Sequence, residues 1–270
     1  MHRLLPLAPV VAFLAACGGT GQSTAPTAAV AATGASSAAT TSAAAPEATL
    51  AQPSPSPIPG CLPDCIPLDI SRPGPLPAGV YETRKFFGSQ LRITLPDETW
   101  RSDEDSTGEL ALSKRDNQDL KLQFWIDVYP TKRGTLERLA GYDGTAKALV
   151  AWLKANSDLL VKDLPPAQLG SLQATSVEIS ASRTIKNEDP DCPKEFQPCV
   201  WLFGFPQWDG VYELGKPFRT HLIAVDTTWG GTPHAIYAMI DTLDPPDYAE
   251  FDAAATAIVA GVQLPVGVGS

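Results

Sequence analysis

The chain has 270 residues, with 20 Lys and Arg against 30 Asp and Glu, for a formal net charge of −10. That acidic balance excludes the basic footprint that nucleic acids and anionic membrane surfaces select for. Five cysteines and three histidines leave few residues for nucleophilic or metal chemistry, so the organisation of the chain is more informative than any motif.

Arg3 precedes an apolar run from Leu4 to Ala16. The run is shorter than the ~20 residues that a membrane-spanning helix needs, and it has the proportions of a signal-peptide core ending in small residues. Leu14-Ala15-Ala16-Cys17 resembles the lipobox of bacterial lipoproteins. The resemblance implies that residues 1–16 are a signal peptide and that the Cys17 sulfur carries a diacylglycerol. The protein is then expected outside the cytoplasm, held to the cell membrane by that lipid. Two or more acyl chains, at ~0.8 kcal/mol per buried CH₂, make such attachment stable.

From 17 to 60 the chain is almost wholly Ala, Thr, Ser, Pro and Gly, with Glu47 its sole charge. Without apolar periodicity it has nothing to offset the entropy of ordering a backbone, and it reads as a disordered linker reaching ~35 Å. The Ser/Thr/Pro mixture also suits O-linked sugar, although a bare spacer is the simpler reading. Composition changes at Cys61, and residues 61–270 read as one globular domain able to bury about 70% of its unfolded surface.

Apart from Cys17, four thiols remain: Cys61 and Cys65 in CLPDC, and Cys192 and Cys199 in CPKEFQPC. In an exported domain these read as disulfides, with three possible connectivities. The local pairs Cys61–Cys65 and Cys192–Cys199 are favoured, since each is close in sequence. The rival staples the N-terminal segment to the loop around residue 192. A four-cysteine zinc site fits neither the second spacing nor an oxidising compartment.

Next come strand signals. Leu91, Ile93 and Leu95 alternate with Arg92 and Thr94; ELALS follows; then Leu120, Leu122, Phe124, Ile126 and Val128 alternate with Lys121, Gln123 and Asp127. Over Thr145–Leu160 the period changes, with Ala146, Leu149, Val150 and Leu153 at helical spacing and Asn156, Ser157 and Asp158 weakening the end. Val177, Ile179 and Ala181 restore alternation, followed by VWLFGF, KPFRTHLIAV and HAIYAMID. The last two read as a hairpin turning at Gly230-Gly231. A closing helix is expected after Asp244 as N-cap, with Pro245 in its first turn and Tyr248, Phe251, Ala255, Ile258 and Val262 on its apolar face. Strands that follow one another directly predict an α+β fold, a largely antiparallel sheet of about seven or eight strands with helices packed on it.

The stretches AGVYETRKFFGSQLRITLPDETW, VAWLKANSDLL and FRTHLIAVD, with the cysteine loop and the closing helix, resemble a recurrent domain of high-GC bacterial lipoproteins. Those domains are similar to the extrinsic PsbP protein of photosystem II. The resemblance spans about Pro77 to Leu264 and implies an antiparallel sheet between helices, a PsbP-like α/β/α sandwich. It also implies a binding or assembly role, with no catalytic set to carry over.

The chemistry itself is sparse. His221 should face a residue near Met239 across the hairpin, several positions from His234, which makes the two poor co-ligands. A Ser–His–Asp set can assemble in space, but no G-x-S-x-G elbow, H-E-x-x-H helix or phosphate-binding glycine loop is present. Asp241, Asp244 and Asp247 suggest a carboxylate trio for acid–base work or calcium, but Asp244 reads as a helix cap with Asp247 and Glu250 in the first turn, and Glu188, Asp189 and Asp191 read as a solvated acidic loop. Trp201, Phe203 and Phe205 read as core. Trp208, Tyr212 and Trp229 fall in turn-rich segments and are the candidates for a partner or ligand patch. No catalytic, cofactor or metal residues are assigned. The expectation is a lipid-anchored, non-catalytic binding or assembly module of the envelope whose partner is a protein, glycan or lipid. A carrier of a small apolar ligand and an envelope hydrolase are the alternatives.

Overall fold

Alternation along Leu120–Ile126 sets up the centre of the molecule. The computed structural model describes residues 65–68, 75–132, 136–185, 192, 194, 196–243, 248–265 and 268, all within the unit Pro53–Ser270. The expected signal peptide, Cys17, linker and Cys61 lie outside these residues, as do Glu188, Asp189, Asp191, Asp244, Pro245 and Asp247.

In chain order the elements are β1 (Ile66–Pro67), β2 (Gly79–Glu82), a 3-10 turn (Phe86–Ser89), β3 (Arg92–Leu95), β4 (Trp100–Asp105), β5 (Glu109–Lys114), β6 (Asn117–Ile126) and β7 (Tyr129–Pro130). Helix α1 (Ala146–Ala155) follows, then β8 (Leu159–Asp163), β9 (Ala167–Leu169), β10 (Leu172–Ala181), β11 (Cys199–Phe205), β12 (Trp208–Gly215), β13 (Phe218–Trp229), β14 (Thr232–Leu243) and α2 (Tyr248–Ala260).

The main sheet runs β4-β5-β6-β14-β13-β10-β8, with β9 added on β10 to make eight strands. Its pairs are antiparallel, as expected. Two smaller sheets run β1-β2-β3 and β12-β11-β7; β1 and β2 pair in parallel.

Both faces of the main sheet are covered. Leu110, Leu112, Leu122, Phe124, Ile223 and Ile236 project to one side, where α2 lays Phe251, Ala255, Ile258 and Val259. On the other, Trp125, Leu222, Ala224, Tyr237 and Met239 meet Ala146, Leu149, Val150 and Leu153 of α1, together with Val200, Leu202 and Phe203 of β11. Two-sided burial explains why the central strand β14 reads as a nearly continuous apolar run rather than an alternation.

Local signals place most boundaries. Thr145 caps α1, its Oγ accepting the Ala148 N–H at 3.0 Å. Gly230 and Gly231 turn the β13–β14 hairpin at φ 57° and 80°, the left-handed values a two-residue hairpin loop requires. In α2 the predicted Phe251, Ala255 and Ile258 are buried, as is Val262 just beyond it.

Four expectations are corrected. The helix over Thr145–Leu160 stops at Ala155, and Leu159–Asp163 leaves as β8 to pair with β10 at the sheet edge. Val128 does not continue the face of Phe124: Asp127 takes a φ of 56°, ends β6 and sends Val128 into the core on the opposite side. Residues 208–215 form a strand paired with β11 rather than a turn-rich loop. Trp201 is only half-buried, because a register shift between Trp201 and Phe203 breaks their shared face.

Cys192 and Cys199 form a disulfide with Cα atoms 5.8 Å apart. Cys65 is also disulfide-bonded, and its expected partner Cys61 lies outside the described residues. The pairing of Cys192 with Cys199 rules out a staple from the N-terminal segment to that loop. Among the described residues no helix is long and apolar enough to cross a membrane.

Candidate functional site

Of the predicted aromatic patch, the structure describes the side chains of Tyr212 and Trp229, and both pack onto other rings. Trp208 opens β12 opposite Phe205; its side chain is outside the described structure. Tyr212 lies in β12 and packs on Trp125 at 5.0 Å and Phe203 at 5.3 Å, its hydroxyl 3.4 Å from Thr220 Oγ. Burial pushes its phenol well above the ordinary range. Trp229 ends β13 half-buried and stacks on Phe87 at 4.6 Å.

The loop beneath Trp229 is tightly built. Phe87 takes a φ of 54°, a costly value for a residue with a side chain. The buried Asp105 carboxylate holds that loop by accepting the backbone N–H groups of Arg84, Lys85 and Phe86 at 2.6, 3.2 and 2.8 Å. Both Tyr212 and Trp229 are therefore lids over core rather than free platforms.

Each histidine has its own carboxylate. His221 faces Ile240, one residue from the expected position, and His234 faces Thr227, six residues along β14. At ~3.3 Å per residue they stand roughly 20 Å apart and cannot share a ligand. His234 Nδ1 pairs with Asp127 Oδ2 at 2.7 Å, and Asp127 Oδ1 also accepts the Ala235 N–H at 2.8 Å. The left-handed Asp127 is thus pinned by the hairpin it faces.

His221 has a second side-chain partner besides its carboxylate, which the sequence could not reveal. Its Nε2 lies 2.7 Å from Ser176 Oγ on β10, and its Nδ1 lies 2.6 Å from Asp252 Oδ1 on α2. A carboxylate only accepts, so Nδ1 donates to Asp252, and in the neutral ring Nε2 accepts the serine O–H. These are the contacts of a hydrolytic triad, but the surroundings differ. Ser176 is 3% exposed, in mid-strand opposite Ile223, with its carbonyl accepting the Leu164 N–H at 3.0 Å. Ser176 stands in a regular strand, whereas an oxyanion needs converging N–H donors. The relay ties α2 to the sheet.

Asp241 lies near the end of β14, within the expected strand HAIYAMID. It is buried, accepts the Thr220 hydroxyl at 2.5 Å, and is pushed up to about 6 by desolvation. Thr220 and Tyr212 lower its pKa again through hydrogen bonds, as does the charge of Lys121.

An open concavity remains at one end of α2. It holds about 380 Å³ and lies between the β3–β4 turn, the β5–β6 turn and the first half of α2. Leu120, Phe251 and Ala254 give it an apolar floor, while the acidic residues Asp97, Asp116 and Glu250 line it from three different elements. Lys114 also lines it, its ammonium 2.6 Å from Thr99 Oγ and 4.4 Å from the centre of the Trp100 ring. Thr99 donates its hydroxyl and its backbone N–H to Asp97 Oδ1, and these bonds hold the Asp97 carboxyl below its usual range. The volume falls in the range of small-ligand sites. Sequence reading missed it; the only signals were the Asp97-Glu98-Thr99 turn and the Arg115-Asp116-Asn117 turn, which do not announce that they meet.

No family model matches the chain, and no curated protein matches it by sequence. Among solved structures it is similar to the solution structure of cyanobacterial PsbP (CyanoP) from Synechocystis sp. PCC 6803. The TM-score is 0.34 and the identity 12%, over 70% of this chain and 94% of that one. It is also similar to a crystal structure from Bacteroides thetaiotaomicron VPI-5482, with TM-score 0.32 and 14% identity over 68% of this chain. The match covers 49% of the Bacteroides chain, so this chain spans about half the length of that protein.

Proposed function

We propose that the chain is a lipid-anchored, extracytoplasmic protein whose PsbP-like domain is a non-catalytic binding module of the cell envelope, with the cleft beside α2 as its ligand site. The lipobox-like Leu14-Ala15-Ala16-Cys17 and the linker after it support the anchor and tether. One observation carries the binding role: the cleft is walled by two tight turns and a helix held by the Ser176–His221–Asp252 relay, so it is preformed. Preformed concave sites with an apolar floor and a few polar groups are where ligands bind.

The relay favours a second reading, a hydrolase with Ser176 as nucleophile. Burial beneath α2 weighs against it. A carrier of apolar ligands would need room between sheet and α2, where Trp100, Leu122, Phe124, Phe251 and Ile258 pack in one core cluster.

The test compares cells making the full chain, Cys17→Ser and Ala254→Trp, by fractionation and envelope cross-linking. The full chain should sit in membranes with a cross-linked adduct, Cys17→Ser should leave the membrane, and Ala254→Trp should stay there without the adduct. Membrane residence unaffected by Cys17→Ser would overturn the anchor, and an adduct surviving Ala254→Trp would overturn the cleft.

A further inference from the structure

We infer that the cleft takes an alkylammonium or alkylguanidinium group, a cationic head on an apolar stem. The inference rests on the binding-module reading above and names the chemistry of its ligand.

The floor and mouth differ in kind. Leu120 and Phe251 are 7% and 3% exposed and, with Ala254, offer a hydrocarbon surface. Asp97, Asp116 and Glu250 converge on it from three elements, so their meeting is a product of the fold rather than of an acidic run in the sequence. Hydrogen bonds from Thr99 keep Asp97 in the ionised form.

The cations nearby are held in place, and the one ammonium in the lining, Lys114, sets its charge against three acidic residues. The Lys114 ammonium is held by Thr99 Oγ and the Trp100 ring. Arg115 pairs with Asp116 at 3.2 Å, with the Asp116 side chain 81% exposed, a surface pair of little strength. An anion entering would meet the carboxylates. A wholly apolar ligand would strip water from them without compensation. A methylene stem with a charged head satisfies both surfaces, as Lys and Arg side chains do when they lie along apolar surface. Such a group can come from a side chain of a protein partner or from a free alkylamine.

The full chain, methyl-labelled in detergent and followed by NMR, tests this by titration with hexylammonium, N-acetyl-lysine amide and hexanoate. Hexylammonium should give saturable shifts at the Leu120 and Ala254 methyls, weakening as salt rises. Glu250→Gln and Asp116→Asn should each weaken it roughly threefold to fivefold, the worth of an exposed charge pair. Tighter binding of the lysine amide assigns the group to a protein side chain, and tighter binding of hexylammonium assigns it to a free amine. Hexanoate binding as well as either cation, or no saturable shift with the cations, overturns the inference. If the cations fail while Ala254→Trp still abolishes the envelope adduct, the binding module stands and only its cation chemistry falls.

Discussion

Ser176 Oγ and His221 Nε2 lie 2.7 Å apart on neighbouring strands, with Asp252 of α2 completing the relay at 2.6 Å from Nδ1. The His221 side chain is 7% exposed and that of Asp252 25%, so the relay works as a buried joint between helix and sheet. A fluorophosphonate probe should leave Ser176 unlabelled under conditions that label an accessible serine nucleophile. His221→Ala should lower stability by roughly 3 kcal/mol, since it opens a cavity and orphans two polar groups. Stoichiometric labelling of Ser176, read by peptide mass spectrometry, would restore the hydrolase.

Asp241 makes stability depend on pH. Its folded pKa of about 6 exceeds the ordinary 3.8, so between those values the folded state binds more protons than the unfolded one. Its contribution is fully present below about pH 4 and is lost as pH rises through about 6. Asp241→Asn removes that titration and keeps an acceptor for Thr220. At pH 7 it should stabilise the domain by about 3 kcal/mol, from roughly two pKa units at 1.36 kcal/mol each, with the gain gone by pH 4. Denaturation curves at the two pH values check this; a gain that does not vary with pH would remove Asp241 as its source.

The loop under Trp229 depends on a single carboxylate. Asp105→Ala leaves the N–H groups of Arg84, Lys85 and Phe86 without their acceptor, and should cost roughly 3 kcal/mol. Near-ultraviolet circular dichroism should show the Phe87–Trp229 stack loosened. Gly88→Ala should disturb the same stack, because a Cβ there would lie 2.7 Å from Trp229 Cη2 at a φ of +65°. An unchanged aromatic spectrum in both variants would mean that the stack holds itself.

Trp229→Ala should destabilise the domain by roughly 2 kcal/mol, less than the 3–5 kcal/mol of a full core deletion such as Phe124→Ala. Half-buried stacking on Phe87 places it between surface and core. Thermal melts of the two variants side by side decide the matter: a neutral Trp229→Ala would return that ring to the surface patch.

The Cys192–Cys199 bridge closes a short loop ahead of β11. Replacing both cysteines by Ala should cost about 2–3 kcal/mol through the freed loop entropy. Peptide mapping without reductant should recover the two cysteines joined, and a peptide joining either to Cys65 would contradict the structure.

The sequence by itself determined what depends on neighbours in the chain. The Thr145 cap, the Gly230-Gly231 turn, the helical spacing of Ala146, Leu149, Val150 and Leu153, and the alternation from Leu120 to Ile126 are each settled within a turn or two of backbone. They sufficed for the fold class, because antiparallel hairpins and amphipathic helices leave few ways to cover a sheet. Only the tertiary structure decided that Leu159–Asp163 leaves the helix for a sheet edge, since an edge strand gains its hydrogen bonds from β10 and not from its own residues. The same holds for the sites. Ser176, His221 and Asp252 come from three elements separated by 45 and 31 residues, and Asp97, Asp116 and Glu250 from two turns and a helix. Strand register and helix docking bring them together, and neither leaves a mark at any one of those positions in the chain. Tyr212 and Trp229 show the converse: an aromatic near glycines looks the same in sequence whether it meets a partner or folds back onto Phe203 or Phe87, because the choice is made by the apolar surface that the finished core leaves uncovered.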